Sequence, residues 1–266
     1  MTSERCSGIE RHPSVHSTPS GIILYHGPSQ LDREPIVAIA TGLTRPTLNV
    51  KTGPMIQTWI LHATTAPHEA AKNGQDYSVC GDCQLRSQSP SGSERSCYVI
   101  PHQAPLRVWR SWKDDSYRPV EDAGWKWLHN RAVRFGSYGD PAAVPARVWL
   151  SLASHAVSWT GYTHQWHRED FQALRWLLMA SVDTPDEAWK AWRLGWRTYR
   201  TRLPGEELLP YESVCPASPE GGYKTNCIGC GQCDGARLRD LRRSYAIVAH
   251  GTGEKAYRKL RLPILP

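Results

Sequence analysis

A chain of 266 residues with 32 Lys and Arg against 25 Asp and Glu is basic, at a formal charge of +7, and long enough for one large core or two modest ones. Its hydrophobic fraction is 40% and its mean hydropathy is negative. The longest apolar runs, such as Trp176 to Ala180, are far too short to cross a bilayer, so a membrane-spanning helical protein is excluded. The opening segment MTSERCSGIERHPSVHSTPSG mixes charge, Pro and Ser without an apolar stretch, so it does not read as a signal peptide, and the expected location is the cytoplasm.

In chain order, residues 1–30 lack either hydrophobic period and are expected to be a flexible leader. Residues 31–130 should hold a β-hairpin and a metal loop. Pro35 to Thr41 and Met55 to His62 are strand-like around LTRPTLNVKTGP, and the polar stretch from Pro67 to Glu94 carries Cys80 and Cys83. Residues 131–210 alternate short apolar strands with helical stretches, as parallel βαβ construction requires. The expected strands are Ala132 to Gly136, Val157 to Gly161, Trp176 to Val182 and Trp196 to Thr201, with helices near Pro145 to Ala156 and Glu169 to Leu174. The clearest helix start is Thr184 as N-cap, Pro185 in the first turn and Glu187 completing a capping box, with Gly195 as the left-handed stop. Residues 211–266 hold four cysteines, a last strand at Tyr245 to Ala249 and a basic C-terminus. The expected fold class is α/β, a partial or complete (β/α) barrel with an N-terminal β-hairpin and a C-terminal Cys-rich metal-binding segment; an open doubly wound sheet is the alternative.

In parallel α/β folds the chemistry gathers at the C-terminal ends of the strands. Those ends read GSYGD (Gly136 to Asp140), GYTHQW, SVD and HGTG, so Asp140, His164, Asp183 and His250 are expected to face one cavity, with Asp140, His164 and Asp183 as the catalytic candidates. His250 before GTG can present backbone N–H groups to an anion. Of twelve tryptophans, Trp149, Trp189 and Trp192 lie on helical faces and are expected in the core, whereas Trp125 and Trp127 could line a groove.

Eight cysteines in a reducing compartment favour metal ligation over disulfides. Cys6 stands alone and reads as a free surface thiol. Cys215, Cys227, Cys230 and Cys233 supply four thiolates within nineteen residues, enough for tetrahedral zinc or an iron–sulfur cluster, and three cysteines at successive x2 intervals with a distant Cys beside Pro216 favour the cluster. Cys80, Cys83 and Cys97 supply three. Zinc there needs a fourth ligand such as His102 or His68, whereas a [4Fe–4S] cluster on three thiolates leaves one iron open.

The three-cysteine loop ending in Cys97 and Tyr98, the α/β segment with polar strand ends and the four-cysteine C-terminal segment together resemble a radical S-adenosylmethionine enzyme with an auxiliary cluster. That family's usual spacing is C-x3-C-x2-C, against gaps of two and thirteen here. The stretches GSYGDPAAVP, TGYTHQW and CPAS before CxxCxxC also resemble uncharacterised proteins encoded by bacteriophages, over most of the chain after Ile22, which would make the location the host cytoplasm. The enzyme resemblance implies S-adenosylmethionine as cofactor, with Tyr98 packed beside the catalytic cluster, Gly136, Ser137, Tyr138 and Gly139 near the cofactor, and an electron donor as partner.

The basic run Arg237, Arg239, Arg242, Arg243, Lys255, Arg258, Lys259 and Arg261 faces only Asp240 and Glu254 in the sequence and suits an anionic small molecule or a nucleic acid. Two readings follow: a radical-type redox enzyme acting on a nucleotide, nucleic-acid or other anionic substrate, or a zinc-stabilised nucleic-acid-binding protein without chemistry. A catalytic zinc is a weaker third, because no H-x-E motif accompanies P-C-x-x-C.

Overall fold

Gly21–Pro28 (β1), Pro35–Thr41 (β2) and Ile56–His62 (β3) pair antiparallel in the computed structural model, which describes residues 18–87, 94–251 and 253–261. The expected hairpin is β2 and β3, in a register that sets Ile39 opposite Trp59. β1 corrects the reading of residues 1–30 as a uniform leader: Ile22 and Leu24 alternate into the core, a pattern concealed by the Ser, Pro and His around it. The earlier part of that leader, with Cys6, lies outside the described residues.

Pro67–Asn73 (α1), Tyr77–Cys80 (α2), Ala104–Lys113 (α3), the two-residue strand Arg118–Pro119 (β4) and Val120–Ala123 (α4) lead to Ala132–Tyr138 (β5). Ala146–His155 (α5), Ser158–Thr163 (β6), Met179–Val182 (β7), Pro185–Arg193 (α6) and Thr198–Arg202 (β8) follow, then Glu212–Val214 (β9), Cys227–Cys230 (α7), Ser244–Val248 (β10) and Glu254–Arg261 (α8). The result is a mixed α/β fold on one ten-stranded sheet, in the order β4-β1-β2-β3-β5-β6-β7-β8-β10-β9. From β3 to β9 every neighbouring pair is parallel, so the second half of the expectation holds at the level of α/β construction. β4 and β9 are the two edges, and no ladder joins them among the described residues. No helix among those residues is long and apolar enough to cross a membrane.

The strand expected from Trp176 starts only at Met179. Residues Glu169–Trp176 form a 3-10 helix instead, closed by the N–H groups of Leu177 and Leu178 returning to the Leu174 carbonyl at 2.9 Å each. The capping box forms as read: Thr184 Oγ1 accepts from Glu187 N–H at 3.1 Å, and Glu187 Oε2 accepts from Thr184 N–H at 3.1 Å. Gly195 takes the left-handed conformation at φ 81°. Thr184→Ala should therefore cost about 1 kcal/mol, measured as a shifted urea midpoint at unchanged m-value.

The two faces of the parallel strands differ. On β5, Phe135 turns to the helical layer and meets Trp149 of α5 at 5.1 Å between ring centroids, while its neighbour Arg134 turns the other way. Trp149, Leu152, Ala188 and Ala191 fill that layer, and each large side chain so buried contributes roughly 1.5–3 kcal/mol. Trp192 packs against the same core and donates to Thr198 Oγ1 at 3.1 Å and Ser244 Oγ at 3.0 Å. Trp189 is instead a rim residue, set edge-on to Trp192. Trp125 stacks on His155 at 4.8 Å, and both it and Trp127 pack on the core edge.

Candidate metal centres

The first cysteine group forms beyond the carboxyl end of β3. α2 ends at Cys80, whose N–H bonds Asp76 O at 2.8 Å, and Cys83 follows one turn later. The thirteen-residue gap is closed because Ser96 and Cys97 both donate their backbone N–H to Leu85 O, at 3.0 and 2.9 Å. Cys80, Cys83 and Cys97 therefore meet closely enough for their charges to interact. Burial first, then the Asp76 carboxylate and the neighbouring cysteines, push the Cys80 thiol well above its ordinary range; burial and Cys83 raise Cys97 as well, while Arg95 opposes both.

The second group is assembled by backbone bonds from distant strands. Cys215 N–H reaches Ala246 O on β10 at 2.9 Å, Cys227 N–H reaches Lys51 O at 2.8 Å, and Cys233 O accepts from Gly161 N–H on β6 at 3.1 Å. Asn226 caps α7 by accepting from Gly229 N–H, and Gly231 at φ 60° reverses the chain so that Cys233 turns back toward Cys227 and Cys230. Burial first, then the neighbouring cysteines, push Cys233 up to about 12 and raise Cys227 and Cys230. Lys51, largely buried and with its own pKa lowered by that burial, faces Cys215, Cys227 and Cys233.

All seven described cysteines are free thiols. Among the described residues no set of three or more His, Cys, Asp or Glu side chains stands in a ready metal-holding arrangement. The fit of a metal is instead tested by the polar atoms around the thiols. Next to the first group, Arg95 Nε and Nη1, Ser96 Oγ and Tyr138 Oη, together with the acceptor Asp76 Oδ2, are buried without a hydrogen-bond partner among the described residues. Arg95 Nη1 stands 3.6 Å from Asp76 Oδ2, an ion-pair distance too long for a hydrogen bond. A buried donor left unmade costs about 1–3 kcal/mol, so such a concentration at one place fits an acceptor-rich group held by the three thiols.

The GSYGD turn belongs to this neighbourhood. A Cβ on Gly136 (φ 66°) would come within 2.6 Å of Gly139 O, and one on Gly139 (φ 83°) within 2.8 Å of Ile60 O, so both glycines are required by the close turn. Tyr138 is buried among Cys80, Arg95 and Cys97. Ser137 donates to Gln57 Oε1 at 2.6 Å and lines a cavity of about 640 Å³ whose wall includes Leu85, Ser96 and Tyr98 of the first cysteine loop and Lys51, which faces the second group. Gln57 and Trp59 on β3 and Tyr199 and Thr201 on β8 line the same space; each pair is two residues apart, so the cavity lies on one face of the sheet. Tyr98 and His250 also line it, His250 with Nδ1 2.9 Å from Val248 O.

The three catalytic candidates do not reach that cavity. Asp140 caps a 3-10 turn, accepting from Ala142 N–H at 2.9 Å and His164 N–H at 2.7 Å, and burial raises its pKa. Asp183 is raised chiefly by burial and accepts from Tyr257 Oη at 3.2 Å. His164 lies between these carboxylates and the first cysteine group, its Nε2 3.8 Å from Cys83 Sγ. The fold thus brings to the first cysteine group a histidine, His164, that the cysteine spacing does not point to. Burial disfavours its charge, but Cys83, Asp183 and Asp140 outweigh that and hold its pKa up to about 10. In metal-free protein the charge should add stability in full below about pH 6.5, the unfolded value, and lose it as pH rises through about 10. The check is the difference in unfolding free energy between wild type and His164→Gln, which should shrink across that interval.

The basic C-terminal run is largely engaged within the fold. Arg242 pairs with Asp240 at 2.7 Å, Arg237 with Asp234 at 2.9 Å, Arg258 with Glu254 at 2.7 Å, Lys259 with Glu94 at 3.6 Å and Arg261 with Glu206 at 3.5 Å. Lys51, Arg95 and Arg134, which bear on the thiols and the cavity, carry no motif and are found only from the fold. No family model, curated protein or solved structure matches the chain.

Proposed function

We propose that the protein is an iron–sulfur enzyme of the radical S-adenosylmethionine type, with Cys80, Cys83 and Cys97 holding a [4Fe–4S] cluster and Cys215, Cys227, Cys230 and Cys233 a second. The observation that carries this reading is the set of buried, partnerless polar atoms of Arg95, Ser96 and Tyr138 around the three-thiol group. Three thiols leave one coordination position free, and the cavity opens beside their loop at Leu85, Ser96 and Tyr98. Six parallel strands in chain order, with the first cysteine loop following the first of them, suit a partial (β/α) barrel whose inner face is this cavity. The bacteriophage resemblance belongs to the same proposal.

When bound, such a cluster would supply an open iron and an electron for reductive cleavage of S-adenosylmethionine. The chain's own part is electrostatic. Arg95 offsets the charge of the first thiolate group, Tyr138 Oη and Ser96 Oγ would donate hydrogen bonds to a cluster held there, and Lys51 offsets the second group.

One observation favours zinc instead: His164 Nε2 beside Cys83 would complete a site of three thiolates and one imidazole, with the other four thiols as an all-thiolate site. Metal analysis and a visible spectrum on protein purified without oxygen separate the two. Brown protein with several irons per chain, forming 5′-deoxyadenosine from S-adenosylmethionine on reduction, supports the enzyme. Colourless protein with about two zincs per chain overturns it.

A further inference from the structure

Five arginines are buried among the described residues: Arg86, Arg134, Arg197, Arg200 and Arg202. Four have carboxylates: Arg86 pairs with Asp76, Arg197 with Asp234 and Asp240, Arg200 with Glu206 and Glu212, and Arg202 with Glu220. Arg134, only 9% exposed, has no ion pair among the described residues. Its side chain donates a hydrogen bond from Nη2 to Tyr98 Oη at 2.7 Å and approaches the Tyr162 ring face-on at 5.6 Å. A buried guanidinium without an anion is expensive, and the rest of this fold does not tolerate one.

Arg134 also lines the cavity, where Lys51, Arg45 and His250 stand against the single carboxylate of Glu254. Lys51 Nζ meets Tyr199 Oη at 3.3 Å and faces the thiols of the second group, so its charge is already directed there. Arg134 also acts on Cys227, ahead of Lys51 among the charges there, but Tyr98 and Tyr162, both cavity residues, precede Cys227 among the groups acting on Arg134 itself. A space of about 640 Å³ is too large for a bare inorganic anion and of the size that encloses a small organic ligand. Trp59, Tyr98, Tyr162 and Tyr199 make its lining aromatic, which suits a planar group.

We infer that the cavity binds a small ligand made of a planar ring and an oxyanion, carboxylate or phosphate, and that Arg134 is the residue that receives the oxyanion. The inference rests on the reading of this cavity as the reaction chamber and names the chemistry of what enters it. The fork of the guanidinium suits two oxygens of one such group, and the Tyr98 hydroxyl, already bound to Nη2, holds the fork in place.

The test is calorimetric titration of the metal-loaded protein with two matched pairs, adenosine 5′-monophosphate against adenosine and indole-3-acetate against indole. At least one charged member should bind one per chain, about tenfold or more tighter than its neutral partner. The pair that shows the preference identifies phosphate or carboxylate. Arg134→Met should abolish the preference without changing metal content, and Arg134→Lys, which keeps the charge but not the fork, should retain only part of it. If the methionine variant does not fold, the lysine variant decides by the same ratio. Equal binding of charged and neutral members, a preference unchanged in both variants, or loss of metal from the second group in Arg134→Lys overturns the assignment. The readout uses neither S-adenosylmethionine nor turnover, so zinc in place of iron would sink the enzyme reading and leave this result standing.

Discussion

Cys233→Ser is expected to remove the metal proposed for the second group and to lower the melting temperature by roughly 10–20 °C. Cys233 is buried beside Met179, Tyr199 and Ile247, and its carbonyl anchors Gly161 of β6. The four thiols come from the segment between β9 and β10, so whatever they hold ties that segment across the sheet. Without a metal, the four thiols, three of them buried, are held together only by packing and the backbone bonds around them. Structural metal sites contribute on the order of 10 kcal/mol in small domains; about half of that here, at roughly 2–4 °C per kcal/mol in a chain of this size, gives the stated range. Scanning calorimetry with metal analysis checks it, with Cys97→Ser as comparison. That variant should lose only the first group's metal and melt nearer the wild type, because its loop covers the sheet instead of joining strands. Unchanged metal content and melting in Cys233→Ser would remove the second centre from the account.

Glu212→Ala should destabilise the protein by about 3–5 kcal/mol. Glu212 on β9 holds Arg200 on β8 through both carboxylate oxygens, at 2.8 and 2.7 Å, and both side chains are fully buried. Its Oε2 also accepts from Leu209 N–H at 2.9 Å. Removing the carboxylate leaves a buried guanidinium with only the half-buried Glu206 as counter-charge, which costs far more than the pair adds when intact. Replacing both partners, Arg200→Leu with Glu212→Leu, should restore much of the loss, because it removes the uncompensated charge. Urea unfolding of the two single variants and the double one gives the coupling directly. Glu212 also lies three residues before Cys215, so the single variant should weaken metal retention at the second group as well.

The parts of the fold legible in the sequence are those written by local chemistry. The capping box at Thr184, the glycine stop at Gly195 and the apolar runs of β2, β3, β5 and β6 need only neighbours within a few residues. β1, β4 and β9 were not legible because eight, two and three residues derive their strand identity from distant partners. The site divides the same way. The two cysteine groups follow from spacing, and in the fold the members of each set influence one another's charge without standing in a ready metal-holding arrangement among the described residues. That His164 meets Cys83 across 81 residues, while Asp140 and Asp183 turn into caps and packing, depends on the sheet order. Arg134 gave one faint signal, a lone charge inside the apolar strand AVRFGSY, but its importance lies in what it lacks, and only the fold reveals a missing carboxylate.

The sheet ends in two stubs. β4 offers two residues, one of them Pro119 without an N–H, and β9 offers three. A ten-stranded sheet with long free margins would invite another chain to add itself as an eleventh strand, the route by which β-rich proteins polymerise. At β4 and β9 themselves an incoming strand meets few donors and acceptors, so neither stub is a margin along which a further strand could run.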